Sequence, residues 1–287
     1  AEHQATVTAL WNAAASDPIV GDACLPLCAA LLANDELGEV AGADTAARAT
    51  NTFLDIVDTR LREGVSTTAL EALSAFVSDE RRLLAAARHQ PSDVMRAWVA
   101  RLLQAVRPGA AEETRVAGFN AFAGMLRSGS VVPFEEETPA APTISSRAVQ
   151  ESASRALATH AYDAEVLKCV ISAVKSLEPK LQVAGFASLR MLAGQADVWG
   201  LRAVMWDEKL RAALLDESMP SPVASKEAME WRFAATSACV AGGAARLSAA
   251  VGADVAGTVQ ALVARGPFRA ATSKGHAPQA DVATDFR

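Results

Sequence analysis

Hydrophobic residues recur along this chain with the three- and four-residue spacing that places them on one face of an α-helix. Within residues 44–63, for instance, Phe53, Leu54, Val57 and Leu61 share one face, and the positions between them are mostly polar. The sequence lacks runs of alternating apolar and polar residues, and it lacks the tight turn dipeptides that join the strands of β-hairpins. The pattern therefore predicts an all-α fold.

Prolines, glycines and capping residues set the ends of the predicted helices. Asp17 and Pro18 are expected to end the first helix, and Pro26 is expected to lie in the first turn of the second. Ser225 is expected to cap a long helix in the C-terminal part. The predicted helices cover approximately residues 3–15, 25–33, 44–63, 66–76, 79–87, 94–106, 112–127, 147–160, 164–176, 179–193, 198–206, 208–215, 225–241, 245–250 and 255–265.

The segment 128–146 interrupts the helical pattern. It contains three prolines, Gly129 and three consecutive glutamates, a composition typical of a flexible loop or linker. We therefore expect N-terminal helical repeats over 1–127, the acidic and proline-rich segment 128–146, C-terminal helical repeats over 147–269, and an extended polar tail over 270–287.

An internal repeat is the strongest organisational signal. Val-Ala-Gly-Phe at 116–119 recurs at 183–186, and a similar apolar stretch precedes each copy, at 102–106 and 170–174. A weaker third copy covers 69–73. A unit of this kind is a helix pair that cannot bury its apolar face alone, so successive units must stack.

The spacing of the copies matches known helical repeats. Phe119 follows Leu70 by 49 residues and precedes Phe186 by 67. The second spacing falls to about 48 when the 128–146 segment is left out, just above the unit length of HEAT and armadillo repeats. The small residue in each copy, Gly118 in the first, would let helices approach closely. We predict an armadillo/HEAT-like helical-repeat solenoid.

Composition and charge argue against two classes of function, nucleic-acid binding and insertion into a membrane. The net charge is −6, the pI is about 5.3 and no basic stripe stands out, which argues against nucleic-acid binding. No apolar run reaches the roughly 18 residues that a membrane helix needs, so membrane insertion is not expected.

The few cysteines suit a reducing compartment, and we expect a cytoplasmic protein, with the nucleus as a second location. The chain starts without Met and without a recognisable signal peptide, so we expect a processed product or part of a longer protein.

The sequence contains no recognisable catalytic constellation. Cys24 and Cys28 are one helical turn apart, but two further zinc ligands at suitable spacing are missing, and buried thiols are the expected interpretation. The four histidines are scattered singly. We therefore predict a protein that is not an enzyme and that needs no cofactor or metal.

One cluster suggests binding to another protein. Three tryptophans fall within 33 residues of an aromatic-poor chain, interspersed with charged residues. Tryptophan and arginine are over-represented in binding hot spots. The candidate protein-binding residues are Trp199, Arg202, Trp206, Lys226, Glu230 and Trp231. In one interpretation the tryptophans fill the core between neighbouring repeats, and in the other one or two of them line a concave groove.

The C-terminal half, roughly residues 164 to 287, resembles a known family. A repeat helix at 180–189 leads to Ala-Asp-Val-Trp-Gly at 196–200, Ala-Ser-Lys-Glu-Ala opens a helix at 224–228, and Gly-Pro-Phe at 266–268 precedes a polar tail. This order is similar to the C-terminal part of the proteasome non-ATPase regulatory subunit 5 family, whose members are usually longer than this chain.

The resemblance implies a non-enzymatic chaperone of proteasome base assembly. Such a protein would cradle the C-terminal domain of a proteasomal ATPase subunit on a concave solenoid face and block premature docking on the core particle. Two other functions remain open from the residues themselves. One is a structural scaffold subunit of another large complex, and the other is an armadillo-type adaptor that binds extended peptides.

Overall fold

The computed structural model describes residues 9–10, 12–13, 16, 18–33, 43–63, 66–77, 91–127, 165–195, 198–215 and 225–267. This part of the chain is helical, with turns between the helices and no strand. The helices are α1 (Pro18–Ala33), α2 (Ala43–Glu63), α3 (Thr67–Val77), α4 (Pro91–Val106), α5 (Glu112–Arg127), α6 (Val166–Val174), α7 (Pro179–Ala193), α8 (Val198–Trp206), α9 (Glu208–Leu215), α10 (Lys226–Val240), α11 (Ala244–Val251) and α12 (Ala253–Ala264).

The all-α prediction is confirmed for these residues. The helices α5, α7, α8 and α9 have the predicted bounds, and most other ends differ by one to three residues. Ser225 caps α10 as predicted, because its hydroxyl accepts a hydrogen bond from the backbone N–H of Ala228. The predicted helices at 79–87 and 147–160, the linker at 128–146 and the tail at 270–287 lie outside the described residues.

The predicted start of the second helix is wrong. Pro18 begins α1, and Pro26 lies inside that helix instead of in its first turn. A proline at the first helical position has no intrahelical hydrogen bond to lose, so Pro18 starts this helix readily. Pro26 leaves the carbonyl of Asp22 without its helical N–H partner. The complete burial of Leu25 and Cys28 beside it keeps the helix continuous.

The helices pack in two adjoining rows. In one row α1, α3, α5, α7, α10 and α12 contact one another in that order. In the second row α2, α4, α6 and α9 contact one another, and each also packs against the helix that follows it in the chain. Outside both rows, α8 and α11 pack on each other, with α8 also touching α7 and α9, and α11 touching α10 and α12.

Two glycines mark equivalent close approaches in two helix pairs. A Cβ atom added to Gly118 of α5 would stand 2.9 Å from the side chain of Val106 in α4. One added to Gly185 of α7 would stand 3.0 Å from the side chain of Val174 in α6. These are the residues that the sequence repeat aligns, so both helix pairs pack through the same positions.

In each of these two helix pairs, an equivalent side-chain hydrogen bond caps the C-terminus of the first helix. The last carbonyl groups of an α-helix have no intrahelical donor. Arg115 Nε donates to the carbonyl of Val106 at the end of α4 (3.3 Å), and Gln182 Nε2 donates to the carbonyl of Val174 at the end of α6 (3.0 Å). Both donors lie three residues before the glycine of their helix, so they occupy the same position in the aligned sequences.

Two further helix ends are closed by arginine side chains. Arg232 of α10 donates through Nε to the carbonyl of Leu214 near the end of α9 (3.3 Å). Arg211 of α9 donates through Nη1 to the carbonyl of Met205 near the end of α8 (3.4 Å). In each case the donor comes from the helix that follows, so the bond fixes the orientation of two successive helices.

Buried polar side chains join α5 and α7, which lie next to each other in the first row of helices. Ser188 of α7 is fully buried and donates to the carbonyl of Phe119 (3.2 Å). Gln195, just after α7, is also buried and donates to the carbonyl of Leu126 (2.7 Å). A buried polar group is costly unless it is hydrogen-bonded, so these bonds specify how the two helices meet.

We expect Gly118→Val and Gly185→Val each to lower the free energy of unfolding by about 1–3 kcal/mol, because the added atoms overpack a close helix contact. Gly257→Val in α12 is the matched control, since nothing lies within 4 Å of the place its Cβ would take. The control should be nearly neutral, because valine is a slightly better helix former than glycine. Urea denaturation followed by circular dichroism measures all three, and stabilities that match the control would contradict the close approach.

Candidate functional site

Trp206 is the most exposed of the candidate residues. It ends α8, and its side chain is 69% exposed. The indole Nε1 donates to the carbonyl of Ala250 near the end of α11 (3.2 Å). The hydrogen bond fixes the ring, so Trp206 presents a large apolar surface to solvent in a defined orientation.

Arg202 supports Trp206 from one turn earlier in α8. Its guanidinium carbon lies 5.5 Å from the centroid of the Trp206 ring, within the range of a cation–π contact. Its Nη2 also lies 3.5 Å from the carbonyl of Ala249, at the limit of a hydrogen bond. Both side chains therefore reach the last turn of α11, which Gly252 ends with a positive φ of 85°. Their structural role is to close a helix end.

Trp231 forms a separate cluster between α7 and α10. It is half-buried against the core, and the guanidinium carbon of Arg190 lies 5.6 Å from its ring centroid. Burial lowers the pKa of Arg190 below the usual arginine value, because desolvation disfavours the charged form. The Trp231 ring therefore mainly packs the junction of two helices.

Lys226 and Glu230 form an ion pair on the surface of α10. Their charged atoms are 3.7 Å apart at the i, i+4 spacing, and their side chains are 73% and 50% exposed. Trp199, by contrast, is half-buried and packs against the core from α8. The six candidates thus do not form one site. The structure joins Arg202 to Trp206 at the α8–α11 contact and leaves Trp231, Lys226 and Glu230 on α10.

Sequence reasoning missed three parts of these clusters. Arg190 lies 41 residues before Trp231 in the chain, so no local pattern connects them. The carbonyl groups of Ala249 and Ala250 accept the bonds that orient Arg202 and Trp206, but a backbone acceptor leaves no signal in the residue type. The Gly252 that ends α11 was the one available sign of a nearby helix terminus.

Arg246 ties α11 to the end of α7. Its Nη2 donates to the carbonyl of Ala193 (3.2 Å) and to that of Gln195. Gly242 makes room for this side chain, because a Cβ there would overlap the Arg246 stem. Burial lowers the pKa of Arg246 from its usual value. Arg246 holds α11 in place, and with it the Ala250 carbonyl that accepts the hydrogen bond from the Trp206 indole.

A cleft opens between α9 and α12, close to Trp206 in the sequence. Its volume is about 340 Å³. It is lined by Glu208, Arg211, Ala212, Leu215, Val255 and Thr258. Glu208 follows Trp206 by two residues, so the exposed ring stands at the start of the helix that forms one wall of this cleft.

The four cysteines are buried free thiols. Burial raises the pKa of Cys28 to about 11, with a further contribution from Cys24, and burial raises that of Cys239 to about 12. The interpretation of the cysteines as small buried groups is confirmed. Within the described ranges, no three His, Cys, Asp or Glu side chains are grouped so that they could hold a metal ion.

Comparisons with protein-family models, with curated proteins and with solved structures found no match to this chain. In the part that the structure describes, no helix is both long and apolar enough to cross a membrane.

We expect the native protein to resist alkylation by iodoacetamide at pH 8.5, because the thiolate is the reactive form. With a pKa near 11, Cys28 should react about 100-fold more slowly than a thiol of the unfolded chain, whose pKa is about 8.5. Each raised pKa also makes a contribution to stability that is complete below pH 8.5 and is lost as the pH rises through the folded value. Mass spectrometry of labelled peptides with and without guanidinium tests this, and native labelling of Cys28 or Cys239 at the unfolded rate would contradict it.

Proposed function

We propose that this chain is a non-catalytic protein-binding solenoid of the armadillo/HEAT type. The proposal is supported by the equivalent contacts of Gly118 and Gly185 and by the matching helix-end bonds of Arg115 and Gln182. Equivalent contacts at aligned positions are what a stacked structural repeat requires. Stacked helix pairs generate an extended surface, which suits the recognition of another protein.

The observation that carries the binding function is the exposed and oriented ring of Trp206. A tryptophan that is 69% exposed is unusual, and large apolar side chains at the surface often mark sites of protein interaction. The Ala250 hydrogen bond and the Arg202 contact hold the ring before a partner arrives. Such preorganisation lowers the entropic cost of binding.

The particular function that we propose is chaperoning of 26S proteasome base assembly, through binding to the C-terminal domain of a proteasomal ATPase subunit. The support is the resemblance of the C-terminal half to the regulatory subunit 5 family. Trp206 belongs to that half. In this proposal the chain holds the ATPase subunit in an assembly intermediate and leaves when the complex matures, acting in the cytoplasm and nucleus.

The test measures binding between the purified chain and a panel of purified ATPase C-terminal domains. Trp206→Ala should weaken the interaction about 30-fold, the effect of losing a hot-spot side chain worth about 2 kcal/mol. Leu177→Ala is the matched control, because Leu177 is equally exposed (70%) but lies in the turn between α6 and α7. Circular dichroism verifies that both variants keep the wild-type helicity.

Each outcome of this test decides between functions. Binding to one ATPase domain that is lost in Trp206→Ala supports the chaperone proposal. If none of the domains binds the wild-type chain, the chaperone proposal is overturned. Isolation of the chain from cells at fixed stoichiometry within a mature complex would then favour the structural scaffold.

A further inference from the structure

A second cleft lies between the end of α4 and the start of α6, away from Trp206 in the sequence. Its volume is about 420 Å³. Its lining consists of Leu103, Arg107, Pro108, Glu165, Lys168 and Cys169. The cleft therefore combines an apolar part with three charged side chains.

The charge of this cleft is opposite to that of the chain. The lining carries the cations of Arg107 and Lys168 against the single carboxylate of Glu165, whereas the whole protein has a net charge of −6. Arg107 is exposed and makes no ion pair within the described part of the chain. Arg115 brings a third cation close by, because it donates to the carbonyl of Val106, the residue before Arg107. A local excess of positive charge in an acidic protein favours an acidic ligand.

Glu165 already supplies one carboxylate to Lys168. Lys168 Nζ donates to its Oε1 at 2.5 Å. The hydrogen bond from Lys168 lowers the pKa of the Glu165 carboxyl, followed by the charge of Lys168, and the charge of Arg107 adds to this effect. Glu165 is also the one non-glycine residue among those described with a positive φ (65°), a left-handed conformation that residues with a side chain rarely adopt.

The Glu165–Lys168 pair is weak enough to be exchanged. Its side chains are 62% and 72% exposed, and exposed ion pairs of this kind contribute little to stability. An incoming carboxylate can therefore replace that of Glu165 at little cost. The replacement would give Arg107 a partner and release Glu165 from holding Lys168.

We propose that the α4–α6 cleft docks an acidic segment of a partner protein, with its carboxylates on Arg107 and Lys168 and an apolar side chain against Leu103 and Pro108. Glu165 then acts as an internal competitor for the same cations. Charge complementarity selects this occupant. A nucleic acid fits less well, because single-stranded recognition uses aromatic stacking platforms and this lining has no aromatic residue.

The test uses the full chain and a fluorescein-labelled peptide of sequence Glu-Leu-Glu-Glu-Leu-Glu, with fluorescence anisotropy at low salt as the readout. Arg107→Gln and Lys168→Gln should each weaken binding about threefold, the effect expected for one exposed charge contact. Glu165→Gln should strengthen binding by a similar factor, because it removes the competing carboxylate. Opposite effects from neighbouring residues distinguish charge competition from a loss of structure.

Two controls make the test specific. Arg62→Gln removes an exposed arginine that pairs with Asp58 on α2, and it should leave the affinity unchanged. A peptide with glutamine in place of glutamate should not bind. The proposal is overturned if the acidic peptide does not bind the wild-type chain, if all variants bind equally, or if an oligothymidylate of equal charge binds more tightly. Because no ATPase domain is used, the result is independent of the proposed chaperone function.

Discussion

The structure depends on the closing of helix C-termini by side chains from neighbouring helices. Six of the twelve helices in the described residues have only 8 to 12 residues, so a large share of their carbonyl groups lacks an intrahelical donor. A buried carbonyl left without a donor costs about 1–3 kcal/mol. Arg115, Gln182 and Arg232 each supply the missing donor from the helix that follows. One bond therefore satisfies a helix end and also sets how two successive helices meet.

The same interaction explains how Trp206 is held. The helix α11 has only eight residues and is too short to persist alone in water. Arg246 attaches it to the end of α7, and Arg202 and Trp206 of α8 reach its last carbonyl groups. Each of the three helices α7, α8 and α11 is therefore in contact with the other two. These contacts set the orientation of the exposed Trp206 indole. The same side chain therefore caps α11 and forms part of the proposed binding surface.

The sequence predicted the parts of the fold that local signals encode. The bounds of α7 and α8 were predicted correctly from the apolar spacing, and Pro179 is the first residue of α7. The start of α1 was missed because Pro26 acts as a local breaker that tertiary burial overrides. The aromatic and charged composition drew attention to Trp206 and Arg202, which the structure places in contact. It did not separate the exposed Trp206 from the half-buried Trp199, since exposure is decided by helices distant in the chain.

Most of the arginines discussed above cap helix C-termini, and this role determines which of them can bind a partner. In the described part of the chain, several arginines direct their guanidinium groups to backbone carbonyls, among them Arg115, Arg202, Arg211, Arg232 and Arg246. These cations stabilise helix ends, where the helix dipole favours positive charge. Arg107 differs, because it has no carbonyl or carboxylate partner in the described residues and stands beside the exposed Glu165–Lys168 pair. A cation that the fold does not use to cap a helix remains available to a partner. For that reason we place the acidic ligand in the α4–α6 cleft beside Arg107, and not at the more numerous arginines that cap helix ends.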